Sequence, residues 1–251
     1  MANHVRIVLE NALRARQLDR TLTTAIAPLA AADGSTAATG INQLDRVLHG
    51  GFPHGQLSEI AGPQSSGRLT VVLQAMAAAT ARGELVAFVD TFDRLDVASV
   101  VAAGVALDRL LWIRGQAITR TDAVTDLRDR TLDRALTSLM LVLQAGGFGL
   151  VVLDVAEVPM TALRRLPPPT WLRVQRAVEG RDSACVLLAP EPLARSAGGL
   201  TLTLTARATW SGDADSRGRV LTGLALEGRV ISPRRRINDR LMLSAPVSQA
   251  V

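Results

Sequence analysis

Residues 56–70 restrict the fold more than any other stretch: Gln56-Leu57-Ser58-Glu59-Ile60-Ala61-Gly62-Pro63-Gln64-Ser65-Ser66-Gly67-Arg68-Leu69-Thr70. A short strand runs into a glycine-rich loop, and the loop opens a helix. That is the outline of a phosphate-binding loop, whose working pattern is G-x-x-x-x-G-K-[ST]. Gly62 through Gly67 keep the frame. Arg68 stands where lysine belongs, and Leu69 stands where the magnesium-binding hydroxyl belongs. The loop retains its backbone design and has lost its chemistry.

A chain of 251 residues suits one large domain or two small ones. It is 48% apolar but only 3% aromatic, with no Tyr, so its core must be Leu, Val, Ile and Ala. Every fixed positive charge is Arg, and composition bias accounts for part of that. The formal charge of +5 suits a nucleic acid or an acidic partner without selecting either. The single cysteine, Cys185, sits in an apolar run and reads as a buried thiol, which packs as a small hydrophobe. No internal disulfide is possible, as in a reducing cytoplasm. The N-terminus has no apolar signal-peptide core, and no stretch approaches the roughly 18 apolar residues of a membrane span. A soluble cytoplasmic protein is expected.

From the N-terminus, residues 4–30 show helical periodicity at Val5, Val8, Leu9, Ala12 and Leu13. This helix either folds onto its own core or forms a docking arm. Residues 31–40 read as a linker and 41–48 as a short helix. Strand and helix then alternate: strand 57–61, helix 69–81, strand 85–90, helix 95–103, strand 110–113, helix 122–144, strand 149–154, helix 170–179 and strand 184–188. Continuous apolar strands alternating with helices predict a mainly parallel sheet covered on both faces. After residue 199 the pattern becomes strict alternation, first at Leu200–Thr205, then at 221–226, 230–231 and 240–243. That predicts half-exposed strands in an antiparallel extension.

Three linked stretches carry a family resemblance: Thr39-Gly40-Ile41-Asn42-Gln43-Leu44-Asp45, then Gly50-Gly51-Phe52-Pro53-His54-Gly55, then Glu59 to Gly67. In order and spacing they resemble the RecA family, which implies a RecA-like core over 36–231. The resemblance also implies an N-terminal helical arm (1–35) and leaves a basic C-terminal tail (232–251). The departures bear on activity. Arginine is longer and forked, where the phosphate-loop lysine is a compact point charge. Leu69 cannot ligate magnesium, and without the metal most charge stabilisation for phosphoryl transfer is missing. The family's water-activating glutamate is Phe92 here, and its γ-phosphate-sensing glutamine has no counterpart in Ala189-Pro190-Glu191-Pro192. Asp154 matches the family's second acidic position. The resemblance therefore implies no catalytic residue, no metal and no cofactor.

Within that family the chain is similar to the ImuA accessory group, about this long and with a dead loop. The resemblance implies a non-enzymatic role in damage-induced translesion synthesis, with an ImuB-like protein and RecA as partners. Alternatives are a DNA-stimulated ATPase or recombinase paralogue, a cap on RecA filaments, and a SulA-like cell-division inhibitor. The loop itself, Gly62, Pro63, Gln64, Ser65, Ser66, Gly67, Arg68, Leu69 and Thr70 with Asp154, reads either as a relic turn or as an anion cradle at a helix N-terminus. Arg164, Arg165, Arg234, Arg235 and Arg236 are the candidate partner-binding residues, suited to DNA phosphates, to an acidic protein surface, or to solvent alone. The mixed run Asp126–Arg130 reads as an exposed helix face with i,i+4 pairing.

Overall fold

The structure is a computed structural model that describes residues 35–117, 125–194, 198–212, 218–232 and 237–246. The expected N-terminal helix, and Arg234, Arg235 and Arg236, lie outside the described residues. Two short strands, β1 (Thr36–Ala37) and β2 (Phe52–Pro53), pair with each other. The other strands are β3 (Leu57–Ala61), β4 (Leu85–Asp90), β5 (Leu110–Arg114), β6 (Phe148–Asp154), β7 (Ala184–Ala189), β8 (Thr201–Ser211), β9 (Val220–Ser232) and β10 (Ile237–Pro246). They form one sheet in the order β10-β9-β8-β3-β7-β6-β4-β5. Every pair from β8 to β5 is parallel, and β8–β9 and β9–β10 are antiparallel. The expected mainly parallel sheet with an antiparallel extension is what the structure has.

Strands β4, β6 and β7 are almost wholly apolar because each feeds two cores. Side chains alternate across a strand, so Val86 and Phe88 of β4 join one cluster while Ala87 and Val89 join the other. In the same way Val186 and Leu188 of β7 separate from Cys185 and Leu187. Helices α1 (Asn42–Val47), α2 (Arg68–Ala81) and α3 (Val97–Ala102) cover the first face, through Leu44, Val72, Met76 and Val100. On the second face lie α4 (Thr125–Ala145), α5 (Met160–Arg165) and α6 (Thr170–Val178), through Leu132, Leu139, Leu163 and Val174. Each buried Leu or Val contributes roughly 1.5–3 kcal/mol. The Cys185 thiol is buried in the second core, and burial pushes it up to about 12. Among the described residues, no helix is long and apolar enough to cross a membrane.

The extension obeys the other rule. Leu202, Leu204, Leu226, Val230, Leu241 and Leu243 point into the first core. Their neighbours Thr205, Arg207, Glu227, Arg229, Arg240 and Met242 are exposed.

Two readings change, and two features are new. The stretches expected as two strands at 221–226 and 230–231 are one strand, β9, because Glu227, Gly228 and Arg229 break the apolar run without breaking the alternation. The segment expected as a tail from 232 includes β10, paired with β9 from Ile237↔Ser232 to Pro246↔Gly223. The proline-bounded stretch after β6 contains α5, with Pro159 at its N-cap, where a missing N–H costs nothing. Asp129 of the mixed run accepts from Arg165 of α5 at 2.9 Å, a pairing between helices.

Candidate functional site

Of the three motif stretches, Glu59 to Gly67 leaves the carboxyl end of β3, where open α/β sheets place their ligands, while Gly55 lies at the opposite, amino end, its amide donating to the Ser183 carbonyl just before β7 at 2.8 Å. Each has a local physical task. The Asp45 carboxylate accepts from the Thr39 amide at 2.8 Å, the Thr39 hydroxyl at 2.7 Å and the Gly40 amide at 3.1 Å, which fixes the start of α1. Gly51 has φ 130° and lies against the Ala37 carbonyl, so a side chain there would break the β1–β2 pairing.

The phosphate loop runs from Gly62 to the first turn of α2. Ser65 adopts φ 61° and Gly67 φ 84°, both left-handed. Two strands of the extension press on the loop. A side chain at Gly62 would collide with the Leu204 carbonyl of β8, and one at Gly67 would come within 2.5 Å of Leu226 Cδ2 on β9. Gln64 to Thr70 open into a cleft of about 350 Å³. Arg94, Asp154, Glu157 and Leu224 also line it.

Arg68 is buried. Its Nη1 donates to the Ala189 carbonyl, at the end of β7, at 2.6 Å. Burial pulls the guanidinium below its ordinary value, while the charges of Asp154 and Glu157 work the other way. Asp154 accepts from the Ala156 amide at 2.8 Å. Burial pushes its carboxyl up to about 6, against that amide bond and Arg68, and with help from Asp90. Across the mouth of the cleft, Arg94 Nε meets Glu157 Oε2 at 3.0 Å. Ser66 is 2% exposed, and its Oγ has no hydrogen-bond partner among the described residues. Phe92 is buried in the second core. Asp90 caps the loop after β4, accepting from the amides of Arg94 at 2.9 Å and Leu95 at 2.8 Å and from Trp112 Nε1 at 3.2 Å.

The loop and Asp154 are thus brought together as the sequence indicates. Arg164 and Arg165 are not part of the cleft: they lie on α5, paired with Glu191 at 3.1 Å and Asp129 at 2.9 Å.

Sequence reasoning missed Glu59. This buried carboxylate accepts from the amides of Leu193 at 2.8 Å and Ala194 at 2.9 Å, and from the Thr201 hydroxyl at 2.7 Å. It ties down the segment that leaves β7. The available signal was an acidic residue inside a buried central strand.

The family model of the RecA N-terminal domain matches residues 15–156. This chain belongs to the RecA N-terminal domain family. It is 35% identical over 118 residues to protein RecA of Desulforapulum autotrophicum, covering 47% of this chain and 30% of that protein. It is 46% identical over 76 residues to protein RecA of a Synechocystis species, covering 30% of this chain and 22% of that protein. The chain thus spans under a third of the length of these curated relatives. Its fold is that of the RadB recombinase crystal structure, with a TM-score of 0.54 at 18% identity, covering 85% of this chain and 96% of the other. The RecA-like loop in this chain is packed from β7, β8 and β9 at once.

Proposed function

We propose that this RecA-like chain is a non-catalytic accessory of damage-induced translesion synthesis. In this reading it acts by holding partner proteins, an ImuB-like polymerase relative and RecA, and it also touches DNA. The observation that carries the reading is the direction of Arg68. The one cation of the phosphate loop is bonded to the Ala189 carbonyl inside the protein. A phosphate ligand would have to win it from that carbonyl and from Asp154. Leu69 offers no oxygen to a metal, and Phe92 offers no base to a water molecule.

The experiment is a pair of measurements on the full chain. Turnover of Mg·ATP is followed with and without DNA, and co-purification with an ImuB-like protein and with RecA is followed at micromolar concentration. The expected result is no turnover and retention of at least one partner. DNA-stimulated turnover would replace the accessory by an ATPase, and loss of both partners would remove the interaction role.

A second reading, nucleotide held without turnover, is favoured by the cleft, which Ser66 lines, and by the buried Ser66 hydroxyl, which has no hydrogen-bond partner among the described residues. Saturable Mg·ATP binding without hydrolysis in the same titration selects it.

A further inference from the structure

We infer that the outer face of the β8–β9–β10 extension binds the phosphate backbone of duplex DNA, without reading sequence, through Arg207, Arg229 and Arg240. Strand register places these three on one surface. Arg240 lies directly opposite Arg229, and Arg207 lies opposite Ala225, four residues further along β9. All three are exposed. Among the described residues of this face, Glu227 is the single acid against them. Two like charges directly opposed on neighbouring strands cost the sheet stability. A polyanion laid over the face reverses the sign of that cost.

The shape of the surface favours nucleic acid over protein. Most of its other side chains are small or short, among them Thr203, Thr205, Ala225 and Ser244. They leave room for a sugar-phosphate backbone to approach. Protein interfaces are built around buried aromatic and apolar anchors, and among the described residues the exposed large apolar side chains of this face are two separated ones, Met242 and, opposite Ser211 at the far end of β9, Val220. Arg, Ser and Thr side chains are the usual donors to DNA phosphates.

The layout also favours duplex. Four residues along a strand span about 13 Å, close to the roughly 12 Å width of the major groove. Single-strand binders need aromatic platforms for the bases. Trp210, with Arg219 stacked 5.2 Å above it, falls by alternation on the same side of β8 as Leu202 and Leu204. The face is thus built for phosphates and offers bases nothing to stack on.

This inference deepens the accessory reading by naming its DNA-binding surface. Its test needs neither nucleotide nor partner, so either can fail alone. Fluorescence anisotropy of a labelled duplex of about 20 base pairs is followed on the full chain between about 50 and 200 mM salt. The variant Arg207→Ser/Arg229→Ser/Arg240→Ser is expected to weaken binding at least tenfold at low salt. It is also expected to cut the slope of log K against log salt by about three, one for each arginine that no longer meets a phosphate. The matching triple Lys variant keeps the slope, which separates charge from folding damage, and thermal melts of both variants match the parent.

Unchanged binding in the triple Ser variant would overturn the inference. So would loss of binding confined to Arg234→Ser/Arg235→Ser/Arg236→Ser. Tighter binding of a single strand of equal length would overturn the duplex assignment, and equal competition by polyglutamate would assign the face to an acidic protein.

Discussion

Arg68, at the start of α2, and Arg240, on β10, put the same side chain to opposite uses. In the cleft the guanidinium is turned inward, bonded to Ala189 and balanced by a carboxylate, so its charge belongs to the fold. On the extension the guanidinium stands in solvent beside another cation, so its charge is available to something else. The inner residue can be changed only at the expense of stability, the outer one only at the expense of binding.

The largest effect is expected beside the cleft. Glu59→Ala leaves two part-buried amides and a hydroxyl without their acceptor, which should cost about 3–5 kcal/mol in urea unfolding. A cost below about 1 kcal/mol would mean that the segment after β7 does not depend on this carboxylate. Arg68→Ala should follow at about 2–3 kcal/mol, because it takes a buried donor from the Ala189 carbonyl and leaves Asp154 without its cation. The same variant should leave DNA affinity unchanged.

Asp154→Asn should act through pH. A carboxyl held at about 6, against an ordinary 3.8, binds its proton more tightly when folded. The stability this gives is complete below the ordinary value and is lost as pH rises through about 6. The full gap corresponds to about 3 kcal/mol, reduced to about 1–2 because the side chain is partly open to the cleft. The variant should therefore be more stable than the parent by about 1–2 kcal/mol at pH 8, and the two should converge towards pH 4. Parallel unfolding curves across that range would show that Asp154 is not the group being titrated. Smallest of all, Arg240→Ser should change stability by less than about 0.5 kcal/mol, and in the favourable direction, since it removes a like-charge neighbour of Arg229. It is the outer counterpart of Arg68→Ala, with little change in melting and a measurable change in salt dependence.

The framework was readable in the chain because its signals were local. Strand 85–90 matches its apolar run end to end, since a strand buried on both faces rarely permits a polar interruption. The same signal failed at β9, where a strand covered on one face carries Glu227 and Arg229 legitimately. It gave no sign of α5, which starts directly after Pro159. Arg68 shows what local signals omit. Its identity marked the loop as altered, but only three dimensions reveal that its head group turns to β7, 121 residues away in sequence. Glu59 and Asp129 are similar: charged residues are easy to find in a sequence, and their partners are distant in it.

The place of β10 decides how this protein can be dissected. Cutting after Ser232 would remove the strand that contributes Leu241 and Leu243 to the interior and would bare the backbone edge of β9. An uncovered edge of that kind recruits strands from other molecules. A shortened protein made to delete its last arginines would therefore tend to clump, and whatever binding it lost would report a damaged sheet rather than missing charge.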